Sequence, residues 1–393
     1  MITWLNIMDI GLSNGLRNKI TETNTTKNFE LGRTYVSTTY AILALISVVG
    51  LLLCFLLIYT LHWENILPIP KDMSLREFRM LLIIISSSFF LTFLLKPIAS
   101  VAYANHKAYL EYLILLLSNF FNLLAIWLLV IFQSKGSIVQ MAVCFCFTPL
   151  LVTFLLTVGL FRKNFRAYSP KFSKIDFSHA RELMALSGRF FIIQIAATVV
   201  FTTNNFLISH YFGNEEVTQY NIAFRYFNII VILQSMILVP FWAIFTEGYT
   251  EKNAGALKNN MTKLLKMTAW LSLFPVLMLL ICNPVYHVWI GDLVQIPLSL
   301  SMAMCFYVLL MLYSSTYTIF INGTGKIKLQ MMTSILSSTL HIPLAILLIK
   351  YFHFNYIGVI MASSFWLLFT LPLRHIQYKK LISFSSIKTI WNK

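Results

Sequence analysis

The chain has 393 residues, of which 58% are hydrophobic and only 11% charged, with a mean hydropathy of +0.75 and a formal net charge of +16. So little polar surface excludes a soluble globule; the chain needs lipid as its solvent. Nucleic acid is excluded as the reason for the positive charge, because that charge is gathered in alternate loops between apolar runs.

The first apolar run, 1–12, is too short to cross a hydrocarbon core about 30 Å thick and reads as the tail of a helix. Longer runs follow at 35–59, 80–104, 110–132, 136–160, 183–212, 217–241, 264–282, 297–321, 329–350 and 356–378. Each can span. With no water at depth every span must satisfy its own backbone, and the period-2 alternation of a barrel strand is absent. The fold class is all-α, a polytopic membrane protein. Pro97, Pro149, Pro240, Pro275 and Pro343 interrupt these runs and predict static kinks. Cys54, Cys144, Cys146, Cys282 and Cys305 lie in or beside apolar runs and read as apolar thiols. His210 and His341 read as packed core histidines.

Counting Arg374 among the cations that flank the spans, 22 Lys and Arg fall on one set of loops, against five (Lys71, Arg76, Arg79, Lys135 and Lys350) on the other. The positive-inside rule makes the first set cytoplasmic and puts the carboxyl terminus there too.

Two stretches read alike: Ala102-Tyr-Ala-Asn-His-Lys107 and Ile321-Asn-Gly-Thr-Gly-Lys326, each followed by a serine-bearing helix that ends in Leu-Ala-Ile. Lys107 and Lys326 hold the same place, which predicts two parallel copies. The division expected is an amino-terminal lobe over 1–175, with about five helices, and a carboxyl-terminal lobe of six over 176–393. In the second copy Leu183 opens a span 63 residues before the loop at Thr246. The first copy is short of that by about 50 residues, giving roughly eleven of twelve expected spans with the first partial.

Three basic residues stand inside the spans, Lys96, Arg189 and Arg225, with scarcely any acid. Each costs about 2.5–3.5 kcal/mol at a helix centre unless water, a partner or an anion receives it. Helical spacing gives them polar company: Ser88, Thr92, Lys96 and Tyr103; Gln194, Thr198, Thr202, Asn205 and Ser209; Asn221, Arg225, Asn228 and Ser235. Tyr307, Ser314, Thr318 and Asn322 make a fourth stripe. Small polar residues also glue helices together in lipid, so the stripes with Lys96 and Arg225 point most strongly to a hydrated, basic cavity. Gly11 to Gly15 is formally GxxxG, but beside Arg17 at a helix end it reads as a chain turn.

Four segments carry a resemblance. They are Met8-Asp9-Ile-Gly11-Leu-Ser-Asn14-Gly15-Leu-Arg17 through Glu22, Tyr211-Phe-Gly213 through Arg225, Pro240-Phe-Trp242 through Glu247, and Asn322-Gly323-Thr-Gly325-Lys326 through Gln330. In this order and spacing the chain resembles bacterial polysaccharide repeat-unit flippases, the Wzx type of the MOP (MATE-like) superfamily. The resemblance implies two pseudo-symmetric helix bundles around a central cavity. It also implies alternating access that moves an undecaprenyl-pyrophosphate-linked oligosaccharide to the periplasmic leaflet of the bacterial inner membrane. Expected partners are that lipid-linked oligosaccharide, membrane lipids and other polysaccharide-assembly proteins, with no nucleic acid and no cofactor; the sequence does not identify a coupling ion, H⁺ and Na⁺ both staying open, or the need for one. Lys96 and Arg225, helped by Arg189, are the expected pyrophosphate contacts, with Thr92, Gln194, Asn205, Asn221 and Asn228 lining the path.

Two further readings stay open. A drug or cation antiporter of the same superfamily should carry an intramembrane acid, whereas Asp9, Glu247 and Asp292 sit near helix ends or in loops. A truncated, inactive flippase would carry the same motifs. A membrane-embedded polymerase fits worst, since the largest outer loop spans only 60–79.

Overall fold

A computed structural model describes residues 11–63, 73–132, 137–291, 294–384 and 391. The first ten residues with Asp9, and also Lys71, Lys135, Asp292, Lys388 and Lys393, lie outside the described residues. The described residues form helices in the order α1 (Leu12–Thr25), α2 (Phe29–Thr60), α3 (Leu75–Leu95), α4 (Pro97–Ala104), α5 (Tyr109–Phe132) and α6 (Ile138–Arg162). There follow α7 (Ala180–Tyr211), α8 (Asn214–Thr250), α9 (Ala254–Leu271), α10 (Leu273–Leu280), α11 (Cys282–Ile290), α12 (Leu298–Thr324), α13 (Lys328–Lys350) and α14 (Ile357–Ile382). Ten of the resulting segments are long and apolar enough to cross a membrane, one for each run expected from the sequence. They outlast the apolar runs, as at α8, because a helix ends where its caps are and not where its hydrophobicity fades.

The chain divides into two compact units, Met1–Ser187 and Gly188–Lys393. In the first, α1 packs on α2 and α4, α2 on α3, α3 on α6 and α5 on α6. In the second, α8 packs on α9 and α12, α9 on α12, α12 on α14 and α13 on α14. The two lists correspond pair for pair, with the broken α3/α4 of the first unit answering to α12 of the second. The fold is therefore two pseudo-symmetric helix bundles.

The turns repeat in atomic detail. Lys27 and Lys252 both adopt φ 55°. The next residue, Asn28 or Asn253, sends its N–H back to Thr23 O (2.8 Å) or Gly248 O (2.9 Å). Its side chain then caps the following helix by accepting from Leu31 N (3.1 Å) or Ala256 N (3.0 Å). Both turns close one helix with a left-handed residue and open the next with an asparagine cap. The threonines before them also match: Thr21 and Thr25 bond back to Arg17 O and Thr21 O, as Thr246 and Thr250 do to Trp242 O and Thr246 O. Before Lys107 and Lys326 the chain again turns left-handed, at His106 (φ 57°) and Gly325 (φ 68°). Glycine adopts that conformation freely, whereas histidine costs about 1 kcal/mol.

The motif residues sit on helices more than on loops. Gly11 (φ 66°) turns the chain into α1, but Asn14, Gly15 and Arg17 lie within that helix. Gly15 is a close-packing contact, because a Cβ there would run into Ser187 Oγ on α7. Asn322 and Gly323 belong to the last turn of α12, Gly325 caps it, and Lys326 O accepts from Gln377 Nε2 at 2.8 Å. Of the two histidines, His341 is fully buried, while His210 is exposed and stacks on Phe206.

Candidate functional site

Lys96 stands where α3 breaks into α4. Pro97 has no N–H to give to Phe93 O, so Lys96 N reaches that carbonyl instead, at 3.4 Å, and the span bends. The Lys96 ammonium lies 5.9 Å from the centre of the Phe93 ring. The left-handed turn at His106 brings the first turn of α5 back beside the bend, so that Glu111 acts electrostatically on both Arg17 and Lys96. An acid therefore does attend Lys96, which the spacing along the chain conceals. Arg17 is buried over the Tyr103 ring, 4.5 Å from its centre. Burial lowers its pKa to about 9 against the opposing pull of Glu111, so it stays cationic at neutral pH.

The stripe drawn through Lys96 does not survive the bend. Ser88 is buried and donates to Cys146 O on α6 at 3.0 Å, Thr92 is exposed, and Tyr103 faces Arg17. Ser88 is thus helix glue.

In the second unit Thr198 and Thr202 bond back to Gln194 O and Thr198 O, and Asn221 Nδ2 donates to Asn205 Oδ1 at 2.9 Å, tying α8 to α7. Arg225 is exposed on α8, Asn228 is half-buried one turn on, and Arg189 is half-buried near the start of α7.

None of these residues lines the half-open cavity of the second unit, whose walls carry hydroxyls amid mostly apolar surface. That cavity, about 370 Å³, lies between α7, α12, α13 and α14. Tyr307, Ser314 and Thr318 of the fourth sequence stripe face it, joined from α14 by Ser363, Trp366, Thr370 and Arg374 at helical spacing. Arg374 is not a flanking charge, as first counted. It stands eight residues before the end of α14, about 12 Å along the axis, inside the expected span 356–378. Its guanidinium donates to Ser314 O at 3.2 Å and, through the same nitrogen, to Ser314 Oγ. No Asp or Glu lines the cavity. One wall is tied down by a buried network in which Asn204 Nδ2 reaches Tyr220 Oη at 3.2 Å and Ser363 Oγ at 3.4 Å, while His341 Nε2 and Asn204 Oδ1 lie 2.6 Å apart.

Residues 1–245 match a family described as polysaccharide biosynthesis protein. The chain belongs to the polysaccharide biosynthesis protein family. Its residues 190–347 also match the MatE family. No curated protein matches it in sequence. Among solved structures it is similar to an outward-facing multidrug resistance MATE family transporter of the MOP superfamily, with TM-score 0.79, 13% identity, and coverage of 97% of this chain and 86% of the other. It is similar to MATE in the bent conformation (TM-score 0.79, 12% identity, 98% and 87% coverage). A MOP superfamily transporter from Pyrococcus furiosus, described as having a binding pocket of reverse polarity that suggests a different function, matches with TM-score 0.77, 11% identity, and 96% and 86% coverage. These likenesses establish that this polysaccharide biosynthesis family member has the MATE fold.

Proposed function

We propose that this chain is a Wzx-type flippase that carries a lipid-linked oligosaccharide across the bacterial inner membrane by alternating access. The carrying observation is the sign of the charge that lines the cavity in the second unit. A cation antiporter needs a carboxylate at depth to bind Na⁺, H⁺ or a cationic drug, whereas this cavity presents a guanidinium ringed by hydroxyls and no acid. Hydroxyl and amide linings exchange hydrogen bonds with a sugar much as water does, and arginine suits phosphate or carboxylate. The family match over residues 1–245 supports the same reading.

The test is complementation of a strain that lacks its polysaccharide flippase, with drug susceptibility measured in parallel. Restored surface polysaccharide without altered drug resistance is expected; drug resistance without polysaccharide would replace the flippase by an antiporter.

The flanking charge fixes the orientation proposed. Alkaline phosphatase fused near Gly213 should be active, and fusions near Ser169 or Asn253 inactive. The opposite pattern would reverse the direction of transport assigned to the protein.

A further inference from the structure

We propose that the cavity of the second unit is an anion-binding site, with Arg374, Trp366 and Gln330 as its ligands. The sugar arm of this inference rests on the function proposed above, whereas binding of a free anion would stand without it. Two donors at the cavity have nothing to donate to. Arg374 Nε and Trp366 Nε1 are buried and unpartnered, and both can only donate. Gln330 is 5% exposed, lines the same cavity and has no side-chain partner in its carbonyl oxygen. Its amide is free to turn its NH₂ group towards an anion.

The surrounding hydroxyls do not meet this demand: those of Thr318, Thr333, Ser337, Ser363 and Thr370 donate to carbonyls of their own helices and that of Ser315 to Gln234 Oε1, and neither Arg374 Nε nor Trp366 Nε1 reaches an acceptor among them. Ser314, the residue that accepts from Arg374, leaves the positive charge uncompensated, and no carboxylate lines the space. Water would satisfy the orphan N–H groups but not the charge; an anion satisfies both. At about 370 Å³ the cavity has room for an anion together with several waters, each of which takes about 30 Å³ in the liquid. Trp366, Thr370 and Arg374 follow one another at four-residue spacing on α14, so one helix face presents the aromatic donor and the guanidinium together.

The anion has two sources with the same chemistry: a dissolved halide, or a carboxylate carried by a sugar. Purified full-length protein in detergent would be titrated at constant ionic strength, held with isethionate, using sodium bromide in one arm and sodium glucuronate in the other. The expected result is a saturable rise in thermal midpoint with at least one of them, with apparent affinity at least tenfold weaker in Arg374→Gln and several-fold weaker in Trp366→Phe. A response to bromide alone assigns the site to a free anion, and a response to glucuronate assigns it to an acidic sugar. No response to either, or equal responses in wild type and Arg374→Gln, would overturn the proposal. Should Arg374→Gln fail to fold, iodide quenching decides. The fluorescence lost on going from wild type to Trp366→Phe must contain a saturable iodide-quenched component, and its absence refutes the site.

Discussion

Gly323→Val is expected to destabilise the second unit by about 3 kcal/mol, seen as a lower thermal midpoint of the purified protein. The last turns of α12 lie so close to α8 that even a Cβ on Gly323 would stand 2.9 Å from Phe245 Cβ and 3.0 Å from Trp242 O. One of those atoms is backbone and the other is fixed to it, so neither can rotate away. Gly248 makes a useful contrast, because a Cβ there meets the Leu257 side chain, whose tip can move. A Cβ on Gly188 meets nothing within 4 Å, and alanine there gains helix propensity of up to about 1 kcal/mol. The alanine series should therefore rank Gly323 as most damaging, Gly248 as intermediate and Gly188 as neutral or stabilising. Equal midpoints across the three would mean that α8 and α12 do not pack as closely as described.

Loss of surface polysaccharide is the expected outcome of combining Lys96→Ala with Arg225→Ala in the complementation assay, on the reading that both cations meet the pyrophosphate of the substrate. Folding should survive. Removing Lys96 leaves Glu111 beside Arg17, and Arg225 is exposed on α8. Charge reversal should be worse than neutralisation, since an acid repels the phosphates as well as failing to hold them. Normal membrane insertion, checked by immunoblot of the membrane fraction, separates a transport defect from a folding defect. Full polysaccharide in the double alanine variant would remove both residues from the substrate path.

Why the sequence reveals some of this and conceals the rest is visible at particular residues. Spans were legible because a membrane imposes length and apolarity on each helix independently of its neighbours, and all ten apolar runs became helices. The repeat was legible at Lys107 and Lys326. Its more faithful copy, Thr21-Glu-Thr-Asn-Thr-Thr-Lys-Asn28 against Thr246-Glu-Gly-Tyr-Thr-Glu-Lys-Asn253, was present in the sequence with five of eight positions identical. It is inconspicuous because only its first two positions fall within the family-like segments that end at Glu22 and Glu247, and the rest is short, polar and loop-like. Half of the cavity's polar lining was visible as the stripe from Tyr307 through Ser314 to Thr318. The other half was hidden by Arg374, which composition groups with Lys379 and Lys380 although it lies a turn and a half before them on the same helix. Glu111 was concealed differently. Fifteen positions separate it from Lys96 in the chain, and only the left-handed turn at His106 brings them together.

The paired Lys-Asn turns bear on how such a molecule arises. Six spans separate Lys27 from Lys252, so a chain duplicated end to end inserts its second half in the same sense as its first, with no loop charges to rewrite. Within the turn the differences are confined. The three positions that differ between the copies are 23, 24 and 26 in one and 248, 249 and 251 in the other, while every residue that shapes the turn is the same. Two of the three are tied to neighbours peculiar to their own half: Asn24 donates to Ala104 O at 3.1 Å and accepts from the Tyr168 hydroxyl, and Gly248 lies against Leu257. The turn behaves as an interchangeable part: its own residues are the same in both halves, and its fittings to the surrounding helices differ.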